Sequence, residues 1–229
     1  MKGIICFAGV KTLKWHNKAS LNIMKFTINS IPETIVKAMQ AKNVWRPECP
    51  VAINELRLLE VSYYDFTEQV SQGQIIVLDQ IAQNVLSIFK ELLVLKFPIY
   101  SMRLMNDFDG DDEYSMAANN SSGFNFRQIA ETDTLSMHSY GLAIDINPLQ
   151  NPYIVIDEGT NNVEIFPKQG AEFINRDNLR KGMVEPIVPI FKKHGISIWG
   201  GDWSSPIDYH HFQTKRSASN HLITNHELV

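Results

Sequence analysis

The chain has 229 residues, of which 44 % are hydrophobic and 20 % are charged, and its formal net charge is −4. This length and composition allow a sizeable buried core in one domain, or in two small ones at most. The acidic balance excludes the broad basic surface that binding to nucleic acid or anionic lipid requires, so we expect small or peptidic partners.

The N-terminus gives only a weak targeting signal. A lysine precedes a short apolar stretch, but Lys11 follows it without a small-x-small cleavage site, so residues 1–24 are interpreted as an extension or a degenerate export signal. Met24 is an alternative start. We expect one domain over residues 25–214 and a loosely ordered polar tail over residues 215–229. No apolar run reaches the roughly 18 residues of a membrane span.

The two cysteines do not indicate a disulfide framework. Cys6 and Cys49 lie far apart and match no metal-binding spacing.

Apolar periodicity predicts two helices in the first half of the chain. A short amphipathic helix is predicted over residues 34–40, before prolines 47 and 50. The clearest helix lies within residues 77–97, up to Pro98. Its apolar stripe consists of Ile81, Val85, Ile88, Phe89, Leu92 and Leu93. Between the two helices, the stretch "VAINELRLLEVSYYDF" has no firm assignment.

The segments that follow are predicted from alternation and composition. Residues 99–104, "IYSMRL", alternate as a strand does. Residues 106–126 are rich in Asp, Asn, Ser and Gly, which predicts a long functional loop at the edge of a substrate cleft. Its "DFDGDD" lacks the glycine and glutamate positions of an EF-hand, so we reject that assignment. Residues 147–170 are predicted to cross the surface, and a helix around "IVPIFKKHG" is predicted to end at Gly195.

The stretch "LSMHSYGLAIDINP" contains an imidazole and a carboxylate around a glycine. In a strand over residues 142–146, Asp145 lies among apolar neighbours, and burying a lone carboxylate costs several kcal/mol, on the order given for unpaired charges. A turn near Gly141 could bring His138 to the same side. A hydrogen bond that only satisfies the two polar groups, or a pair of metal ligands, would each explain this pattern.

A second cluster, "DYHHFQ", favours the metal interpretation. It supplies Asp208, His210 and His211, and two histidines with one carboxylate suit zinc with an open fourth position. Strict alternation would send His211 and Asp208 to opposite faces, unless a helical turn brings them together. A second carboxylate near the metal could serve as general base in hydrolysis.

These residues resemble a known family. "SMHSYGLAIDINP" is similar to the SxHxxGxAxD signature of the zinc D-Ala-D-Ala carboxypeptidases, a family that includes vancomycin-resistance dipeptidases and phage L-alanyl-D-glutamate peptidases. "DYHHF" is similar to its second motif, an acidic residue three positions before a histidine. The similarity extends from about Trp45 to Gln213 and includes "WRPECPV", "NPY" and "WGGDW".

The resemblance implies a role for each matching residue. The zinc ligands would be His138, Asp145 and His211, and the catalytic acid/base would be Asp208. The family's carbonyl-polarising arginine would be Arg103, with Arg127 as the second candidate.

Four residues around this centre have further predicted roles. Arg127 could instead bind a substrate carboxylate. Ser136 would orient His138, contact substrate or only cap a turn. Trp203 is predicted to form a cleft wall, and His210 is expected to face away from the metal.

Together these observations predict a single α+β domain, and the resemblance implies that it is of the hedgehog/D-Ala-D-Ala peptidase type. We expect a small, mostly antiparallel sheet that carries the zinc site, with helices on its other side. The resemblance implies a monomeric zinc-dependent peptidase that acts on peptidoglycan stem peptides with D-amino acids or on related small peptides. The aspartate at position 208 does not decide between carboxypeptidase and endopeptidase activity.

Two alternatives remain at this stage. One is an inactive zinc-containing module that binds cell-wall peptides, and the other is a cytoplasmic D-Ala-D-Ala dipeptidase. The resemblance favours the cell envelope or secretion, whereas the weak export signal is compatible with the cytoplasm.

Overall fold

The computed structural model describes residues 24–219 except residues 131, 158 and 161. The expected N-terminal extension therefore lies outside the described residues except for Met24. The same is true of residues 220–229 of the expected C-terminal tail. Within the described part, no helix is both long enough and apolar enough to cross a bilayer.

The largest sheet has four strands and comes from the first half of the chain. Its strand order is β1–β2–β3, all antiparallel, with β4 parallel to the end of β2. The strands are β1 Phe26–Asn29, β2 Leu56–Asp65, β3 Val70–Leu78 and β4 Pro98–Ile99. Strand β2 is the stretch that the sequence left unassigned. Its apolar residues do not alternate because most of its side chains are buried on both faces of the sheet.

Two helices accompany this sheet. Helix α1, Glu33–Ala41, confirms the short helix with one more residue at each end. Helix α2, Asp79–Val94, packs on β2 and buries the whole predicted stripe. Each large apolar side chain buried in this way contributes roughly 1.5–3 kcal/mol through its removal from water. The helix ends before Pro98, where Lys96 adopts a positive φ of 53° and the Phe97 N–H donates to the Leu92 carbonyl.

The strand predicted over residues 99–104 is wrong as one element. It is split at Tyr100 into β4 and β5, Ser101–Met102, which belong to different sheets. The Tyr100 N–H donates to Asn147 Oδ1 at 2.9 Å instead of to a neighbouring strand.

The long loop predicted over residues 106–126 is also wrong, because this segment is folded. It contains a 3₁₀ turn, Met105–Phe108, helix α3, Asp112–Ala117, and strand β6, Asn120–Ser121, which pairs with β5 in parallel. Asp111 caps α3 by accepting a hydrogen bond from the Tyr114 N–H. The polar residues therefore form caps and buried hydrogen bonds, which composition alone does not distinguish from a loop.

The predicted surface crossing over residues 147–170 contains a hairpin. Strands β8, Tyr153–Asp157, and β9, Asn162–Phe166, pair with each other, and β11, Ile207–Asp208, adds to β8.

A third sheet lies at the centre of the second half. Its order is β10–β12–β7, all antiparallel, with strands β7 Ala143–Asp145, β10 Ile198–Trp199 and β12 His211–Gln213. Helix α4, Val188–Lys193, packs on it through stacked rings of Phe191 and Phe212, 3.9 Å apart. Gly195 follows α4 with a positive φ of 83°, as predicted. The α+β class with small, mostly antiparallel sheets is confirmed.

Candidate metal centre

A tight turn brings His138 to Asp145. Residues Met137–Tyr140 form one 3₁₀ turn, capped by Ser136, whose Oγ accepts a hydrogen bond from the His138 N–H. Gly141 then reverses the chain with a φ of 66°. A Cβ at this position would lie 2.6 Å from the Leu78 backbone nitrogen, so both the conformation and the space require glycine. The turn near Gly141 inferred from the sequence is confirmed.

His211 reaches the same point from the neighbouring strand. In the antiparallel pairing of β7 with β12, His211 lies directly opposite Asp145. His138 Nε2 is 3.1 Å from Asp145 Oδ2 and 3.2 Å from His211 Nδ1, and His211 Nδ1 is 3.0 Å from Asp145 Oδ1. Ligands of a tetrahedral zinc with bonds of about 2.0–2.1 Å lie about 3.3 Å from one another. The three side chains, all buried, therefore form a group that could hold a metal ion.

Backbone and side-chain acceptors fix the tautomers of both imidazoles. His138 Nδ1 lies 2.6 Å from the Gly123 carbonyl, and His211 Nε2 lies 2.8 Å from Gln213 Oε1. Each of these nitrogens must carry the proton, which leaves a lone pair on the other ring nitrogen. Three electron-rich atoms thus converge, and either a metal ion or an added proton must lie between them. This donor set fits zinc.

The electrostatics of the three groups agree with that geometry. Burial by itself raises the pKa of Asp145, but the charges and hydrogen bonds of the neighbouring histidines outweigh it and hold this pKa well below its usual range. Burial lowers the pKa of His211, yet the hydrogen bond and charge of Asp145 raise it to about 9. Without a metal, the site therefore holds a proton on His211 beside an ionised Asp145.

Asp208 lies beside this group at the end of β11. It is buried, and burial raises its pKa above the ordinary value, against the opposing charges of His210 and His211. Its Oδ1 is 3.1 Å from His210 Nε2, an ion-pair distance without the direction of a hydrogen bond.

The expectation that His210 faces away from the centre is wrong. Its Nε2 lies near Asp208 and 3.9 Å from Asp145 Oδ2. Strand alternation fails because His210 occupies a turn between β11 and β12. Its Nδ1 lies 2.7 Å from the Asn151 carbonyl, and Arg176 holds Asn151 Oδ1 at 2.8 Å. No local pattern in the sequence indicated this long-range contact.

A cavity of about 550 Å³ opens onto the group. Trp203 forms part of its wall, with its ring centroid 5.5 Å from that of His211. Ser136 and Arg127 also line it, as do Asp208 and both histidines of the second cluster. Residues of α3, in the segment expected at the cleft, contribute Asp112, Glu113 and Met116.

Arg103 does not line this cavity. Its Nε binds Asp107 Oδ2 at 3.0 Å, and its guanidinium lies 4.9 Å from the centre of the Phe108 ring. Of the two arginines considered from the sequence, the structure brings only Arg127 to the cavity that opens onto the three-residue group.

Comparison with known proteins agrees with this geometry. Residues 130–214 match the family described as D-alanyl-D-alanine carboxypeptidase, and the match includes His138, Asp145, Asp208 and His211. Residues 130–214 are therefore similar to this peptidase family. No curated protein and no solved structure gives a significant match.

The matched segment covers a little more than a third of the chain. It contains β7 to β12 and α4, and it lacks the four-stranded sheet and α2. At the level of the family, the match supports a peptidase, and the buried His138, Asp145 and His211 could bind the zinc ion that peptidases of this family use.

Proposed function

We propose that the protein is a zinc-dependent peptidase that hydrolyses amide bonds in peptidoglycan-type peptides containing D-amino acids. The observation that supports this most strongly is the convergence of two tautomer-fixed imidazoles and one carboxylate within 3.0–3.2 Å, next to a second buried carboxylate. A structural metal site needs no such second carboxylate.

His138, Asp145 and His211 would hold the zinc. When bound, the metal supplies Lewis acidity, which lowers the pKa of a water molecule and polarises a carbonyl. Gly123 and Gln213 keep the two imidazoles in the tautomers that present a lone pair to the site.

The remaining steps belong to side chains of the cavity. Asp208 accepts the proton of the attacking water and then donates it to the leaving amine, as its position at the cavity wall allows. Arg127 donates to the carbonyl oxygen of the scissile amide as negative charge develops on it. Trp203 offers a flat apolar surface beside His211 for the peptide.

A matched pair of variants tests this proposal. Asp208→Asn should retain zinc and fold but lose the proton acceptor, so the rate of hydrolysis should fall by ~10²–10⁴-fold. Asp202→Asn is the control, because Asp202 is an exposed partner of Lys192 and does not line the cavity. The substrates are muropeptides, with products identified by mass spectrometry and zinc measured by elemental analysis.

The results separate the alternatives. Full activity in Asp208→Asn would show that another group is the base. A wild type that binds the peptides without cleaving any of them would indicate a binding module. No bound zinc in the wild-type protein would contradict the metal site itself.

A further inference from the structure

Strand β12 places its side chains in two different environments. Because side chains alternate along a strand, His211 and Gln213 lie on one face of β12 and Phe212 lies on the other. The ring of Phe212 is fully buried and stacks on Phe191, whereas His211 and Gln213 both line the cavity. Gln213 is half-buried. It is therefore a residue of the cavity face, directly beside a candidate metal ligand.

The side-chain amide of Gln213 has a fixed orientation. Its Oε1 lies 2.8 Å from His211 Nε2. Whether Nδ1 of His211 holds a metal or a proton, Nε2 carries a proton, because a neutral imidazole keeps one N–H and a charged one has two. The oxygen of the amide must therefore face His211, and the two N–H groups of Gln213 Nε2 point away from that ring.

These two N–H groups are not used inside the protein. Among the described residues, no group accepts a hydrogen bond from Gln213 Nε2. The nitrogen is also accessible to solvent, unlike the buried and unpartnered Oδ1 of Asp208. An amide that is held at its oxygen and open at its nitrogen can bind an acceptor in the cavity with little further loss of side-chain freedom.

The position of this amide indicates which oxygen it can bind. His138 and Asp145 meet His211 at Nδ1, whereas Gln213 meets it at Nε2, on the other side of the ring. The carbonyl that is hydrolysed belongs on the Nδ1 side, so the ring separates it from Gln213. In an extended peptide each further residue advances the chain by roughly 3.3–3.6 Å. The acceptor for Gln213 is therefore a carbonyl of a neighbouring peptide unit.

We propose that Gln213 is a substrate-binding residue, whose amide donates to a backbone carbonyl next to the scissile bond while its oxygen orients His211. One side chain then contacts both the peptide and a candidate metal ligand. This inference rests on the proposed peptidase function, and it adds a contact for the peptide beyond the residues that perform the hydrolysis. Because the two contacts use different atoms of the amide, substitutions can remove them separately.

The test uses two substitutions of Gln213 and an N-acetylated stem pentapeptide that contains both an L-Ala-D-Glu and a D-Ala-D-Ala bond. Gln213→Glu keeps an acceptor for His211 Nε2 but has no N–H, so it should bind the peptide about tenfold more weakly and retain its affinity for zinc. Gln213→Met removes both contacts, so it should lose the same peptide affinity and also about 10–100-fold in zinc affinity. Calorimetry on zinc-loaded protein that carries Asp208→Asn measures peptide binding, and equilibrium dialysis measures zinc.

Gln128→Glu is the matched control for the added charge. Gln128 is an exposed glutamine that also lines the cavity, but it makes no contact with His211 among the described residues. The substitution adds the same negative charge to the same cavity, and it should leave peptide and zinc affinity as in the wild type. Thermal unfolding shows whether each variant is folded.

The outcomes separate this inference from the proposed catalysis. Undiminished peptide binding by Gln213→Glu, or an equal loss in Gln128→Glu, would overturn the role of Gln213 and leave the peptidase function standing. Weaker binding by Gln213→Glu together with a wild type that cleaves neither bond would overturn the proposed function alone. With Asp208 intact, Gln213→Glu should raise KM and leave kcat nearly unchanged, because the contact is the same in the bound substrate and in the transition state.

Discussion

The proton on His211 links the chemistry of the site to pH. In the metal-free protein, burial lowers the pKa of His211. The hydrogen bond and negative charge of the buried Asp145 carboxylate outweigh this effect and raise the pKa to about 9. At neutral pH this proton occupies Nδ1, the atom that faces His138 and Asp145. A metal ion must therefore displace it.

Zinc binding is expected to release about one proton per metal at pH 7. The apparent affinity should rise on the order of tenfold per pH unit from about pH 6.5 and level off near pH 9, because His211 is already deprotonated above that value. Calorimetric titration in two buffers of different ionisation enthalpy measures the number of protons. An enthalpy that does not depend on the buffer would contradict this description of the site.

The raised pKa of His211 also determines how the free energy of unfolding of the metal-free protein changes with pH. In chelated protein, the contribution of His211 to the free energy of unfolding is fully present below its ordinary pKa of 6.5 and is lost as the pH rises through about 9. The contribution of Asp145 is present above its ordinary pKa of 3.8 and is lost at lower pH.

At the residue scale, the sequence predicted the group of His138, Asp145 and His211 more accurately than the residues around it. The spacing around Gly141 placed His138 beside Asp145 because a turn and a strand are local structures. The direction of His210 and the position of Arg103 could not be predicted in the same way. The direction of His210 depends on a long-range contact with the Asn151 carbonyl. The position of Arg103 depends on the division of residues 98–102 into β4 and β5, which belong to different sheets.

At the scale of elements, the pattern of burial explains both why α2 was predicted correctly and why the hairpin of β2 and β3 was missed. Helix α2 was predicted because one face is buried and the other is exposed, which produces a period in the sequence. The hairpin of β2 and β3 was missed because a strand buried on both sides has no such period. The folded segment around α3 was missed because its asparagines and serines satisfy backbone groups inside the protein.

The Gly-Gly turn between β10 and β11 positions Asp208. A Cβ on Gly200 would lie 2.4 Å from the Asp208 carbonyl oxygen and 2.8 Å from the Asp208 Cβ. We expect Gly200→Ala to displace Asp208 and to lower the rate of hydrolysis by about 10²-fold, since misplacement of a reacting group by about 1 Å can cost that much. Zinc content should stay at the wild-type level.

Gly159→Ala, in the turn between β8 and β9, is the matched control for that change. The nearest atom to its added Cβ is Asp157 Oδ1, at 3.3 Å. Wild-type activity in Gly200→Ala would show that the contact between the two backbones does not position the carboxylate.

At the scale of the whole molecule, the two halves meet along β3. The Phe124 N–H donates to the Ile76 carbonyl, and the Leu78 N–H donates to the Gly141 carbonyl, at 2.8 and 2.9 Å. These bonds attach the segment around Gly123 and the turn after His138 to the four-stranded sheet. A Cβ on Gly123 would lie 2.4 Å from the Ile76 carbonyl oxygen, so the approach is as close as a backbone allows.

A truncation tests what this contact contributes. Residues 130–214 alone lack Gly123, whose carbonyl fixes the tautomer of His138, and lack β3. We expect this fragment to bind zinc far more weakly than residues 24–219, with a loss of at least the 10–100-fold typical of removing an outer-shell partner. Equilibrium dialysis against zinc measures both proteins, and equal affinity would show that the segment is self-sufficient.

The hydrogen bond from His138 to Gly123 therefore has a consequence for how this protein can be engineered. Residues 130–214 cannot carry a complete metal centre into another protein by themselves. The carbonyl of Gly123, which orients His138, lies outside them. A graft of this centre into another scaffold would have to carry strand β3 together with Gly123, which lies against it. Recombination between relatives should succeed at crossovers that keep residues 76, 123 and 138 from one parent.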